Sequence, residues 1–475
     1  MALSTTQIIQ HSHVAFGTSG VRGLVTDLTD DVCAAFAVNF IQVMQQSSTF
    51  DRVAVAIDNR PSSPKMAAAV AGVLKAIGVQ VDFYGVLPTP ALAYQAMQDK
   101  VPAIMITGSH IPFDRNGIKF YRPDGEISKA DEQAILSVNT PLPLFTPVTL
   151  AILDSAAQNY LQRYLSIYPA GILSGKHIGI YEHSSAGREL YYQVFEALGA
   201  KVTRLERSDH FVPIDTEAVS DADKQKGVQW AKQYQFYAIF STDGDGDRPL
   251  LSDENGYWLR GDIVGLLCAQ ALGIDALAVP VSCNSAIEKC GVFNQVLRTR
   301  IGSPYVIAAF ETLKTERSYA GFEANGGFLL GSDIIIADKM LKALPTRDAL
   351  LPALAVLVLA AERPVSALLD MLPQRFTASD RIQNVPATRS QQLLDSLIAH
   401  PEQSLQMLSL DNKVLLSIDS TDGLRMTFVD GDIVHLRPSG NAPEVRCYAE
   451  CDTEQKAIHL VALALQAIAE HIKLS

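Results

Sequence analysis

Short apolar runs of buried-strand character alternate with helical segments three times along this chain, and that alternation sets the fold class. In the first round, RVAVAID (52–58) reads as a buried strand and PKMAAAVAGVLKAIG (64–78) as a helix ending at Gly78. VQVDFYG (79–85) and VPAIMITG (101–108) follow as strands. The second round runs through KHIGIYEH (176–183), the helix YYQVFEALGA (191–200), KVTRLE and QFYAIFST (235–242). The third runs through ALAVPVSC (276–283), FNQVLRTRIG and SYAGFEANGGF (318–328). Such alternation predicts α/β layers on a mainly parallel sheet. Each round takes roughly 100 residues, the size of one domain. The C-terminal part differs. LLSIDSTDGLRMTFVDGDIVHLRPSG (415–440) shows two alternating stretches joined by Asp-Gly turns, and a helix follows over 453–472. The expected organisation is three consecutive α/β domains, 1–153, 154–256 and 257–368, and a smaller α+β domain, 369–475.

Composition narrows the function. The 475 residues carry 39 Lys+Arg against 51 Asp+Glu, a formal charge of −12, so a sequence-independent nucleic-acid binder is not expected. A small anionic ligand remains compatible, because local Arg and Lys clusters outweigh the global field. Six cysteines without a CxxC pair predict neither a zinc ribbon nor a disulfide scaffold, and point to a reducing cytoplasm. The N-terminal MALSTTQIIQHSH lacks the basic and apolar regions of a secretory signal. ALLPALAVLVLAA (349–361) is too short to span a bilayer and contains Pro352, so it is expected to be a buried core helix rather than a membrane segment. No feature points to a specific protein partner.

Five segments carry chemistry. In TGSHIPFDRNGIKFY (107–121), Ser109 follows a buried strand, where a strand end presents a hydroxyl to a cleft. Asn116-Gly117 reads as a turn that brings Lys119 back beside Ser109. A serine needs such help to act as a nucleophile; in isolation the motif reads as a loop serine capping the next turn. STDGDGDRPL (241–250) places Asp243, Asp245 and Asp247 at alternate positions between glycines, a compact set of hard oxygen ligands suited to Mg²⁺ or Ca²⁺. An EF-hand loop is the rival, with Glu254 at its twelfth position. It lacks the required glycine, because Arg248 stands at the sixth position, and a strand precedes it. GFEANGGF (321–328) offers Glu323 and Asn325 on a glycine-rich loop, a pair suited to neighbouring sugar hydroxyls or to a plain turn. RPSGNAPEVR (437–446) groups Arg437, Ser439 and Asn441 around Gly440, which reads as an anion cradle or an ordinary β-turn. FGTSGVRG (16–23) brings Arg22, a phosphate-binding cation or a structural arginine.

In this order and spacing the five segments resemble the α-D-phosphohexomutase superfamily, most closely its bacterial phosphomannomutase/phosphoglucomutase branch, over essentially the whole chain. The resemblance implies three related α/β domains with mixed sheets and a smaller fourth, around a central cleft. It implies that Ser109 carries a phosphoryl group and that Asp243, Asp245 and Asp247 bind Mg²⁺ together with an oxygen of phosphorylated Ser109. Arg248 matches an arginine near the transferring phosphate. Arg22 and Lys119 match cations near the serine, with Lys119 a candidate for acid/base work. Glu323 and Asn325 fall where the family loop reads sugar O3 and O4. Arg437, Ser439, Gly440 and Asn441 match the loop that holds the phosphate not being transferred. The implied partners are small sugar phosphates, with a hexose 1,6-bisphosphate as intermediate and activator.

The chain departs from the family pattern in places. The common sugar loop reads GExSGH, from which Phe322, Asn325 and Gly327 differ. The position of Gly327 often carries a histidine in the family, so a second acid/base residue is either missing or supplied from elsewhere; His110 beside the serine is a candidate, and a structural histidine is the alternative. Asn441-Ala442 replaces the commoner Thr-Glu, and Ile111 replaces a common asparagine. The leading expectation is interconversion of hexose 6-phosphate and hexose 1-phosphate, with mannose first and glucose second. Its rivals are a phosphoglucosamine mutase, a hydrolase using the same serine and Mg²⁺, and a non-catalytic sugar-phosphate sensor.

Overall fold

Along the strand Arg52–Ile57 successive side chains point to opposite faces. Val53, Val55 and Ile57 enter one apolar core, while Ala54 and Ala56 enter another. Both faces are covered, which is why the strand reads as one unbroken apolar run. The computed structural model describes residues 3–17, 19–438 and 444–474. The first core is closed by the helices Asp30–Met44 and Ser63–Ala76, and the second by the helix Thr89–Asp99.

Three of the four larger sheets share one device. In the first, Arg52–Ile57 pairs in parallel with Gln80–Val86 and Ala103–Ile106, and Ala103–Ile106 then pairs antiparallel with Arg115–Arg122. In the second, His177–His183 pairs in parallel with Lys201–Arg207 and Ala238–Thr242, and Ala238–Thr242 pairs antiparallel with Pro249–Leu251. In the third, Ala276–Pro280 pairs in parallel with Gln295–Thr299 and Tyr319–Phe322, and Tyr319–Phe322 pairs antiparallel with Phe328–Leu330. All three sheets are therefore mixed, as the family resemblance implies, whereas the alternation alone predicts a mainly parallel sheet. The physical reason is connection length. A parallel neighbour needs a crossover of a dozen or more residues, whereas each of these loops returns directly. The three directly returning loops are the Ser109 segment, the aspartate turn and the Glu323 loop.

The fourth unit is a five-stranded antiparallel sheet in the order Phe376–Gln383, Glu444–Cys451, Ile433–Pro438, Leu424–Phe428, Leu415–Asp419, with the helix Glu454–Leu474 packed on it. The two Asp-Gly turns, at 422–423 and 430–431, join three strands, one more than the sequence pattern indicates.

Apolar packing divides the molecule unevenly. One core runs from Ala54 to Leu372 and fuses the first three sheets. The helix Leu350–Ala360 lies inside it, apolar and buried on nearly all sides, as expected for residues 349–361. The fourth unit has a separate core, from Val385 to Ile468. Polar bonds tie it to the third sheet: Asn284 Nδ2 donates to Thr377 Oγ1 (3.1 Å), Ser285 N to Glu450 Oε2 (2.9 Å) and Ile301 N to Asp422 Oδ2 (2.9 Å). Among the described residues no helix is long and apolar enough to cross a membrane. Leu354 is fully buried in the fused core. Leu354→Ala is expected to lower stability by about 2–5 kcal/mol, measured as a reduced midpoint of urea unfolding.

Candidate active site

Ser109 sits in the loop after Ala103–Ile106, 2% exposed and with φ at +54°, a left-handed conformation unusual for a residue with a Cβ. A buried pair holds it there. Asp58 accepts from Thr107 Oγ1 (2.7 Å) and Ser63 Oγ (2.6 Å), and Thr107 Oγ1 accepts from Ser109 N (2.8 Å). Arg60 bonds Asp58 through Nε and gives its remaining donors to the carbonyls of Ser109, Ile111, Pro112 and Arg115, at 2.6–2.9 Å. A Cβ on Gly108 would lie 2.6 Å from the Arg60 guanidinium carbon, so this loop accepts its arginine only because residue 108 is glycine.

The hydroxyl of Ser109 donates to Asp243 Oδ2 at 2.5 Å. Each aspartate of the turn 243–247 commits an oxygen to the protein. Asp243 Oδ1 accepts from the backbone of Asp247 and Arg248. Asp245 Oδ2 accepts from Thr89 Oγ1 and Lys119 Nζ, both at 2.6 Å. Asp247 Oδ2 accepts from Lys119 Nζ (2.7 Å) and Arg347 Nε (3.0 Å). Asp245 Oδ1 and Asp247 Oδ1 are buried without a hydrogen-bond partner. Buried polar atoms are rarely left unpaired, and here two carboxylate oxygens are. One oxygen from each of the three aspartates lies within 4.8 Å of the others. This all-oxygen set fits Mg²⁺. Burial, with Asp245 and Asp247 alongside, pushes the Asp243 carboxyl well above the usual range. Burial also acts on Asp245 and Asp247, but Lys119 holds the first, and chiefly Arg347 the second, below the usual range. The turn links two antiparallel strands, so it is not the helix-flanked EF-hand loop.

The other predicted residues surround this turn. Asn116-Gly117 does not turn the chain. Both residues lie within the strand Arg115–Arg122, because Asn116 Nδ2 is anchored on Ser62 and Ser63, and the reversal occurs earlier, after Ser109. Lys119 reaches the site on this strand, where its ammonium pairs with Asp245 and Asp247. Arg22 is paired across from Gly117, and burial lowers its guanidinium pKa to about 10. Arg248 Nη1 donates to His110 Nδ1 (2.9 Å), and its Nε lies 3.6 Å from Asp247 Oδ1. Burial and Arg248 lower His110 to about 3, so its ring is neutral at pH 7. Its Nδ1 is 3.4 Å from Ser109 Oγ, but the serine proton points to Asp243.

Glu323 and Asn325 are buried on the third loop. Glu323 Oε2 accepts from Arg347 Nη1 (3.0 Å), and Asn325 Oδ1 accepts from Gly327 N (3.0 Å) within its own loop. Thr216 Oγ1, from the second unit, donates to the Asn325 carbonyl (2.7 Å). Arg437 pairs with Asp422 at 3.5 Å inside the fourth unit. Ser439, Gly440 and Asn441 lie outside the described residues.

Comparison with known proteins agrees with this geometry. Models of phosphoglucomutase/phosphomannomutase match over residues 13–140 (domain I), 260–376 (domain III) and 376–467 (C-terminal domain). A phosphomannomutase of Salmonella muenchen is 55% identical over 466 residues, covering 98% of each chain. The chain belongs to the phosphoglucomutase/phosphomannomutase family. A phosphomannomutase of Sinorhizobium fredii is 43% identical, covering 95% of this chain and 98% of that one. A phosphoglucosamine mutase of Deinococcus deserti is 28% identical, covering 96% and 98%. The crystal structure of a putative phosphomannomutase from Thermus thermophilus has the same fold, with a TM-score of 0.76, 20% identity and 97% and 99% coverage.

Four residues of this family member's site are absent from the motifs read in the sequence: Asp58, Arg60, Thr89 and Arg347. Asp58 and Arg60 follow a strand without a recognisable pattern, and Thr89 opens a helix. Arg347 had a signal, a charge directly before the most apolar helix of the chain, since arginine is seldom fully buried unless paired. It also accounts for Gly327. A Cβ there would lie 2.5 Å from Arg347 Cδ, so the arginine stem fills the space of a side chain at 327. Mg²⁺ is expected to raise the melting temperature of the wild-type protein, by relieving repulsion among the three buried aspartates. Asp245→Asn is expected to abolish most of that shift in thermal scans with and without EDTA.

Proposed function

We propose that the protein is a phosphomannomutase, interconverting mannose 6-phosphate and mannose 1-phosphate and accepting glucose phosphates as second substrates. The observation that carries this reading is the Ser109 hydroxyl on Asp243, in a buried turn with two carboxylate oxygens left unpaired. The near-full-length likeness to the Salmonella muenchen phosphomannomutase supports mannose over glucosamine. Divisions at residues 153, 256 and 368 give the first unit the Ser109 loop together with the FGTSGVRG segment, and each later unit one site loop.

Asp243, Asp245 and Asp247, with an oxygen of phosphorylated Ser109, would hold Mg²⁺. When bound, Mg²⁺ supplies charge neutralisation at the phosphoryl oxygens. Phosphoryl transfer depends mainly on positioning and electrostatics. A sugar hydroxyl attacks the phosphorus on Ser109 and the bond from phosphorus to Ser109 Oγ breaks; the Lys119 ammonium gives a proton to the leaving serine oxygen and, then neutral, takes the proton of the attacking hydroxyl. Arg22 and Arg248 offset charge around the moving group. His110, neutral and held by Arg248, orients that guanidinium rather than carrying the proton. The resulting hexose 1,6-bisphosphate turns over, presents its other phosphate to Ser109, and hands it back. Glu323 and Asn325 read the sugar hydroxyls in both orientations, and Arg437, Ser439, Gly440 and Asn441 hold the resting phosphate. A trace of hexose 1,6-bisphosphate acts as activator by rephosphorylating Ser109. The described cysteines are all free, which fits a reducing cytoplasm.

A ³¹P NMR time course tests the reading. Purified protein with Mg²⁺ and a trace of glucose 1,6-bisphosphate receives mannose 1-phosphate, glucose 1-phosphate or glucosamine 1-phosphate in separate tubes. The 6-phosphate signal is expected to grow fastest with mannose. Growth only with glucosamine would replace the substrate, and release of free phosphate would replace the mutase with a hydrolase. Ser109→Ala is expected to lower kcat by at least about 10⁴-fold, as for loss of a nucleophile.

A further inference from the structure

Arg347 stands at the end of the strand Leu344–Asp348, and only 1% of it is exposed. Its guanidinium has acceptors in three units. Nε donates to Asp247 Oδ2 (3.0 Å), Nη1 to Glu323 Oε2 (3.0 Å) and Ser303 Oγ (2.9 Å), and Nη2 to Ser19 Oγ (3.3 Å). Ser303 in turn donates to Glu126 Oε2 (2.6 Å), whose other oxygen accepts from Thr346 Oγ1 (2.7 Å). One planar fork thus touches the aspartate turn, the Glu323 loop and the opening FGTSGVRG segment. A lysine offers no such fixed set of directions.

Two consequences follow from these bonds. With Lys119 and Arg347 both on Asp247 Oδ2, Oδ1 is the oxygen that remains for a ligand. With Nη1 on Oε2, the Glu323 carboxylate is held at a set distance from the aspartate turn. The arginine stem is itself confined, because it passes through the space that a side chain at Gly327 would take.

We propose that Arg347 is a positioning residue for the reaction, registering the sugar-reading loop against the metal-binding turn through Glu323 and Asp247. Its kinetic consequences rest on the mutase reading; its consequence for metal binding does not. A purely structural ion pair would change stability alone. A positioning residue changes metal affinity and substrate recognition together, in protein that remains folded.

The test uses the full chain carrying Arg347→Gln, Arg347→Lys, Glu323→Gln, or Glu323→Gln combined with either Arg347 change. Circular dichroism checks folding, titration with Mn²⁺ followed by electron paramagnetic resonance gives metal affinity, and mannose 1-phosphate turnover gives kcat and KM. Loss of a group that orients a metal ligand costs about 10–100-fold, so Arg347→Gln is expected to weaken Mn²⁺ and lower kcat/KM by at least about tenfold each. Arg347→Lys keeps the charge but not the fork; it is expected to restore Mn²⁺ affinity to within about threefold of wild type while KM stays raised. Glu323→Gln is expected to leave Mn²⁺ affinity unchanged and to have a smaller effect on kcat/KM when Arg347 is already altered. Folded Arg347 variants with wild-type Mn²⁺ affinity and KM overturn the proposal, as does strict additivity with Glu323→Gln. If Arg347→Gln does not fold, the KM of Arg347→Lys and its additivity with Glu323→Gln decide the matter. If the wild-type protein isomerises no hexose phosphate, the functional reading falls, and Mn²⁺ affinity alone decides the role of Arg347.

Discussion

Mutual repulsion among Asp243, Asp245 and Asp247 is the constraint around which the structure is arranged. All three are fully buried on a single turn. Carboxylates this close in a medium less polar than water cannot share a site without counter-charge. Lys119 comes from the first sheet, Arg347 from the third, and Arg248 from the turn itself. Thr89 and Ser109 add hydroxyl donors from the first unit. The turn is therefore electrostatically complete only when three units are in place, and a metal ion is the remaining charge that its unpaired oxygens call for.

The same backbone device delivers Ser109, the three aspartates and Glu323 to this meeting point. A buried strand runs to the sheet edge, a glycine-containing loop exposes one or more polar side chains, and an antiparallel strand carries the chain straight back. Such loops are short and tied at both ends, so their side chains are placed by the sheet and not by the loop alone. Two arginines stiffen the loops further. Arg60 lies under the serine loop against Gly108, and Arg347 under the Glu323 loop against Gly327.

Much of this was legible in the sequence. Buried strands such as 52–57 and 177–183 have apolar runs with few alternatives, and the aspartate turn and Ser109 announce themselves by spacing. The mixed character of the sheets came only with the family resemblance and not from the alternation of segments, because strand direction depends on whether a loop crosses over or returns, and loop composition does not encode that. Asn116-Gly117 carries the usual signature of a turn, but its side chain found partners on Ser62 and Ser63 that no local rule contains. Asp58, Arg60 and Arg347 act through partners tens to hundreds of positions away, and single charges in apolar surroundings do not reveal which partners those are.

The division of apolar cores bears on how the chain assembles during synthesis. The core of residues 9–135 contains only early segments and can close as soon as they emerge. The larger core draws on residues from Ala54 to Leu372, including the helix Leu350–Ala360. One face of the first sheet and much of the second must therefore wait, with apolar surface uncovered, for the third unit to be translated. During that interval the nascent chain is most in need of a chaperone. The fourth unit, with a core made only from its own residues, adds nothing to the wait.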